Sequence, residues 1–175
     1  MIVKSLSRKN KSFGELVKYI DKKSVGDQYG VFHNLKVFKN NPKLVSKEFR
    51  KNSDRCLKRK NGVYLYHDIL SFSDRDTNRL TPEIMQDLAS RYIELRANNS
   101  LAYGKIHLDT ECPHVHLMIS GNLLGSAKKT RISKAKFKQI KIELERYQKS
   151  RYPFLEHSLV FERGRKEKSQ VVTTE

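Results

Sequence analysis

Apolar and polar positions along this chain follow two different periods, and the switches between them outline its elements. The opening MIVKSLS mixes Ile2, Val3 and Leu6 with polar neighbours, as a first or edge strand does, and the turn-forming RKNKS ends it. SFGELVKYIDKK then spaces Phe13, Leu16, Val17 and Ile20 along one face of a short helix, with Ser12 at its N-cap and Tyr19 on the flank of the apolar stripe. VGDQYGVFHNLKVFKNN, with two glycines and scattered apolar residues, reads as loop with room for a short strand. Pro42 opens a second helix reaching to about residue 60, whose Leu44, Val45, Phe49 and Cys56 face inward.

After the Asn61-Gly62 turn signal, GVYLYHDILSFSD is rich in β-formers and predicts a long central strand. TPEIMQDLASRYIELRANN carries Thr81 as N-cap, Pro82 at the first helical position, and Ile84, Leu88, Tyr92 and Leu95 on one face. SLAYGKIHLD and HVHLMISGN are two strands joined by TECP, and a last helix over 133–147 uses Phe137, Ile140, Leu144 and Tyr147. HSLVFERG predicts a final strand, and residues 164–175 read as a polar tail or a linker. A hairpin at the centre of alternating strands and helices makes the class α+β, a mainly antiparallel sheet flanked by helices.

A length of 175 residues suits one domain. Charge changes the picture more: 36 Lys and Arg against 19 Asp and Glu give a formal +17, which points to an anionic partner and first to nucleic acid. Residues 43–60 hold eight Lys or Arg and two acids, so Lys47, Arg50, Lys51, Lys58 and Arg59 are the candidate DNA contacts, a solvated helix face being the alternative. Two cysteines, no signal peptide and no spanning apolar run argue against export or a membrane and make the cytoplasm the default.

The hairpin IHLDTECPHVHLMIS holds three of the six histidines. If Asp109 pairs with His114 across a four-residue turn, His107 pairs with His116 and all four side chains share one face. Ile106, Leu108, Val115, Leu117 and Ile119 then form the core face. Three neutral imidazoles leave a divalent ion its full charge and open positions, an arrangement suited to catalysis, and Asp109 can orient a ring N–H. Cys112 in the turn is a weaker candidate ligand. His33, His67 and His157 read as ordinary half-buried or exposed side chains.

HLDTECPHVH resembles the third motif of conjugative relaxases in the HUH endonuclease superfamily, where HVH is the eponymous histidine–hydrophobic–histidine, and is most similar to mobilisation relaxases of the MOBP type. SFGELVKYI is similar to their first motif, which supplies a nucleophilic tyrosine, and HDILSFSDRDTNRLTPE to their middle motif. The resemblance covers residues 1–163. It implies a palm-like antiparallel sheet of about five strands, nicking of plasmid or mobile-element DNA at an origin of transfer, and accessory mobilisation proteins as partners. It also implies His107, His114 and His116 as metal ligands, Tyr19 as nucleophile, and Asp109 as a carboxylate that orients a ligand or handles a proton.

Reversible cutting of one strand suits a tyrosine, whose phosphate ester conserves the energy of the broken bond. With an ordinary pKa near 10, a phenol also needs a proton acceptor and help at the phosphate. Tyr29, in a Gly-flanked loop, is the rival to Tyr19; Tyr64, Tyr66, Tyr92 and Tyr147 are explained by packing. Imidazoles favour zinc or nickel by affinity, while phosphoryl-transfer sites work with manganese or magnesium, the metals expected in turnover. A rolling-circle initiator or transposase, a metal-stabilised binding module and a water-activating nuclease remain as alternatives.

Overall fold

A computed structural model describes residues 1–36, 41–56 and 62–160. The elements run β1 (Ile2–Arg8), α1 (Phe13–Asp21), β2 (Val31–His33), α2 (Pro42–Ser53), β3 (Leu65–Ser71), α3 (Pro82–Ala97), β4 (Ser100–His107), β5 (His114–Leu123) and α4 (Lys134–Arg151). The five strands form one antiparallel sheet in the order β1-β3-β5-β4-β2, as the hairpin and the α+β reading require.

Period-2 alternation divides the sheet into two faces. Leu70, Ala102, Ile106, Val115, Leu117 and Ile119 project to one side and pack against Met85, Leu88, Tyr92 and Ile93 of α3 and Ile140 and Leu144 of α4. Leu65, Leu101, Tyr103 and Met118 project to the other, where α1 supplies Phe13, Leu16, Val17 and Ile20, and α2 supplies Val45 and Phe49. Helices α1 and α2 cover only part of that second face, leaving the end that begins β5 open for side chains with other work.

Local signals explain the helix starts. Asn41, Thr81 and Ser133 each accept a hydrogen bond from the third residue onward, capping α2, α3 and α4. Ser12 holds the N-cap position of α1, but its side chain makes no capping bond. In α2, Leu44 is exposed and Cys56 lies past the helix end, so the inward face is Val45, Phe49 and Asn52. Asn52 replaces the expected apolar contact with hydrogen bonds to Ser120 Oγ and from Gly125 N–H, tying α2 to the far end of β5.

Over the described residues 157–160 the expected last strand does not form. The segment is pinned instead by Met1, whose amine donates to the Leu159 carbonyl, and by Ser158, whose hydroxyl accepts from Ser73 N–H. The remainder of that strand and the tail over 164–175 lie outside the described residues.

Strand β3 is fastened from behind by a buried ionic group. Asp68 accepts from Tyr92 Oη at 2.7 Å and lies 3.6 Å from Arg96 Nε, both partners belonging to α3. Burial pushes the Asp68 carboxyl up, and Arg96 opposes that shift. Removing one member of a buried pair leaves the other charge uncompensated. Asp68→Asn is therefore expected to lower unfolding stability by about 3–5 kcal/mol in a urea titration; a change within experimental scatter would show that Arg96 finds its compensation elsewhere.

Candidate active site and metal centre

Strands β4 and β5 pair His107 with His114, Ile106 with Val115 and Lys105 with His116. The register is thus two residues away from the expected one, with Asp109 beyond the ladder rather than opposite His114. The turn is longer because Asp109 is drawn out to Lys23 at 3.2 Å and Thr110 Oγ donates to the Cys112 carbonyl. A slide of two residues preserves the face each side chain occupies, so the imidazoles still converge. Leu108, also past the strand end, is exposed instead of joining the core.

The three rings lie 4.7–5.3 Å apart between centroids, and one nitrogen from each falls within 4.8 Å of the others. Each ring's second nitrogen is engaged. His107 Nε2 lies 2.7 Å from the Ile20 carbonyl, and His114 Nδ1 lies 3.0 Å from the Cys112 carbonyl. A carbonyl only accepts, so both nitrogens carry protons, leaving His107 Nδ1 and His114 Nε2 with free lone pairs. His116 Nδ1 lies 3.0 Å from His67 Nε2. His116 offers Nε2 only in the tautomer whose Nδ1 carries the proton and donates to His67 Nε2; the Arg8 guanidinium, a donor facing His67 Nδ1 at 3.5 Å, favours the reverse direction, so ligation through Nε2 shifts the proton on both rings. Burial first, then the neighbouring imidazoles, pushes His116 down to about 3, so it is neutral at neutral pH and ready to ligate.

His67 is the residue that sequence reading passed over. It is buried on β3, its Nδ1 lies 3.5 Å from the Arg8 guanidinium, and burial followed by Arg8 pushes it down to about 4. An outer partner of this kind fixes a ligand's tautomer and ring orientation and is worth about 10–100-fold in metal affinity. His67→Ala should weaken manganese binding by about that factor in calorimetry, and His67→Gln, with an amide oxygen able to accept the same proton, should recover much of it. Equal affinities in all three proteins would remove His67 from the centre.

Tyr19 reaches the site from α1. Its ring is 54 % exposed and stands edge-on to His116 at 5.2 Å and to His67 at 5.8 Å. The helix is held there by its own C-terminal end: Ile20 has one of the last carbonyls, which lack an intrahelical partner, and His107 supplies one. Tyr103 Oη donates to Asp21, Lys23 turns the chain with φ 63°, and Ser24 bridges to His107. A candidate ligand and the tyrosine helix are thereby mechanically joined.

The other sequence candidates separate clearly. Asp109 has its carboxyl held down chiefly by Lys23, and its Oδ1 lies 4.0 Å from His107 Nδ1, beside the converging nitrogens but not among them. The Cys112 thiol is not in the group. Tyr29 packs with the core on the opposite side of the sheet and bonds to Glu83. His33 bonds to the Asn98 carbonyl. Lys47, Arg50 and Lys51 are exposed on α2, whereas Lys58 and Arg59 lie outside the described residues. Lys47 and Lys51 help line a cavity of about 430 Å³ at the far end of β5, larger than the 220 Å³ cleft beside Tyr19 but holding neither imidazole nor phenol.

A Cβ at Gly104 would fall 2.8 Å from the His116 carbonyl oxygen and 2.4 Å from a Leu117 methyl. Glycine there lets β4 approach β5 closely. No described helix is long and apolar enough to cross a membrane.

Two solved structures share this architecture. The MobM relaxase domain (MOBV; Mob_Pre) bound to 26nt pMV158 oriT DNA aligns over 99% of this chain and 95% of its own, with TM-score 0.60 and 18% identity. A Mn-bound crystal structure of the MobM relaxase domain with pMV158 oriT DNA (22nt+3′thiophosphate) at pH 6.8 aligns over 86% of each chain, with TM-score 0.51 and 17% identity. At these identities the likeness is one of fold, and both neighbours are of the MOBV rather than the MOBP type. No curated protein matches the chain. The family model of the MobA/VirD2-like relaxase nuclease domain matches residues 19–151, most of the chain, beginning at Tyr19 and spanning all three histidines. The chain belongs to the relaxases, as a nuclease domain of the MobA/VirD2-like family.

Proposed function

We propose that this domain nicks and rejoins one strand of plasmid or mobile-element DNA at an origin of transfer through a covalent tyrosine intermediate. The observation that carries this reading is the exposed phenol of Tyr19 against His116, one of three imidazoles whose free nitrogens converge. The Tyr19 oxygen bonds to the scissile phosphorus as the bond to the 3′ oxygen breaks, giving a 5′-phosphotyrosine and a free 3′-hydroxyl. The reverse step rejoins the strand. Exposure of Tyr19 lets its proton leave to water. Asp109, ionised against Lys23, is a weak base and acts by fixing the charge around His107.

His107, His114 and His116 are neutral donors with their outer nitrogens tied, a set that fits a divalent metal. When bound, such an ion polarises the phosphate and offsets charge developing on it. Manganese, present in the MobM crystal structure, or magnesium is the working ion; zinc or nickel would bind by affinity. Lys47, Arg50 and Lys51, with Lys58 and Arg59, hold flanking DNA. The nuclease unit spans 1–163, resembles the MOBP type in its motifs, and works in the cytoplasm with accessory mobilisation proteins.

The test is a denaturing gel of the chain with labelled single-stranded origin DNA. A protein–DNA adduct should form with manganese and vanish after chelation. Nicking without any adduct would assign the chemistry to water, and an adduct indifferent to chelation would discard the metal.

A further inference from the structure

The histidine face continues past the metal centre to the sheet edge. His116 is opposite Ile69 and Ile69 opposite Lys4; in the next row His114 is opposite Ser71 and Ser71 opposite Ile2. Directly opposed residues share a face, so the outer side of β1 and the imidazoles look into one cleft. Its walls are Ile2, Lys4, Tyr19, Ile69, Ser71 and His114 with His116, around about 220 Å³. Beyond it Leu6 lies opposite His67.

The composition of this face is not explained by folding. Ile2 is 38 % exposed and Leu6 is 53 % exposed, while Lys4 between them is exposed and has no ion-pair partner among the described residues. Two apolar side chains left in water on either side of a free cation match a ligand alternating apolar rings with anions. Strands are spaced about 4.8 Å, which puts Lys4 about 10 Å across the sheet from His116, within reach of a phosphate close to one held over the imidazoles.

We propose that the outer face of β1 seats the single-stranded DNA segment adjoining the scissile phosphate, Lys4 holding a neighbouring phosphate and Ile2, Leu6 and Ile69 contacting bases. This rests on the nicking function proposed above. Apolar contact with bases is sequence-tolerant, and each phosphate neutralised adds to the salt dependence of binding.

The probe is a fluorescent oligo-dT, titrated by anisotropy at several salt concentrations against the full chain carrying Tyr19→Phe, so that binding is read without cleavage. Adding Lys4→Gln should weaken binding and reduce the log–log salt slope by about 0.7, the value for one single-strand phosphate contact. Adding Leu6→Ser should weaken binding several-fold with the slope unchanged. Lys138→Gln, on α4 behind the sheet, serves as the charge control. The proposal is overturned if Lys4→Gln changes the slope no more than Lys138→Gln does, or if Leu6→Ser binds like its parent. Melting curves confirm that each exposed-site variant is folded. Failure of the nicking reading is seen separately, as absence of an adduct from the unsubstituted chain with metal.

Discussion

Tyr19→Phe will abolish the covalent protein–DNA adduct, lowering strand cleavage by a factor on the order of 10⁴ or more, the scale seen when a nucleophile is deleted. The substitution removes one oxygen and keeps the ring, so the edge-on contacts with His116 and His67 persist and α1 stays where Ile20 and Asp21 hold it. Metal affinity and DNA binding should therefore equal those of the unsubstituted chain. No other tyrosine can replace it. Tyr92 and Tyr103 are fully buried, Tyr29 and Tyr66 pack behind the sheet, Tyr64 packs against the cluster under α1 and α2 with Lys11 over its ring, and Tyr147 and Tyr152 both donate to Asp87 on the helix side. Persistence of the adduct in this variant would transfer the nucleophile elsewhere and undo the reading of the cleft.

His116→Ala gives the second large effect and the opposite pattern. It removes a nitrogen from the centre of the group, since His116 lies 4.7 Å from both His107 and His114, and strands His67 without its partner. Manganese affinity should fall by more than the about 100-fold ceiling of an outer-partner loss, and adduct formation should fail at metal concentrations that saturate the unsubstituted chain. Oligonucleotide binding through the proposed contacts Lys47, Arg50 and Lys51 should survive. Two variants on one cleft, one losing chemistry with metal retained and the other losing metal, separate nucleophile from ligand. If His116→Ala bound manganese within tenfold of the parent, ligation would belong to other groups.

The architecture was legible because strands and helices here obey their own periods: HVHLMIS alternates, PEIMQDLASRYIELRA does not, and Pro42, Thr81 and Ser133 mark the helix starts. The convergence of His107, His114 and His116 was legible for the same reason, since facing depends on parity. Exact register was not. It is set by a turn whose Asp109 answers to Lys23, a residue brought near only by tertiary folding. His67 was hidden because one histidine among β-formers looks the same whether it packs or supports a ligand; only the pairing of β3 with β5 puts its Nε2 at His116. The last strand misled because HSLV has the right alternation, but its Leu159 carbonyl and Ser158 hydroxyl are taken by the Met1 amine and the Ser73 N–H, contacts that only the tertiary fold brings together.

The decisive measurement is an anomalous difference map from crystals of the chain grown with manganese. A single peak should lie among His107 Nδ1, His114 Nε2 and His116 Nε2, with the Tyr19 hydroxyl facing it across the cleft. A peak elsewhere, or imidazoles turned away from one another around an empty centre, would end the case for a metal-assisted tyrosine transfer.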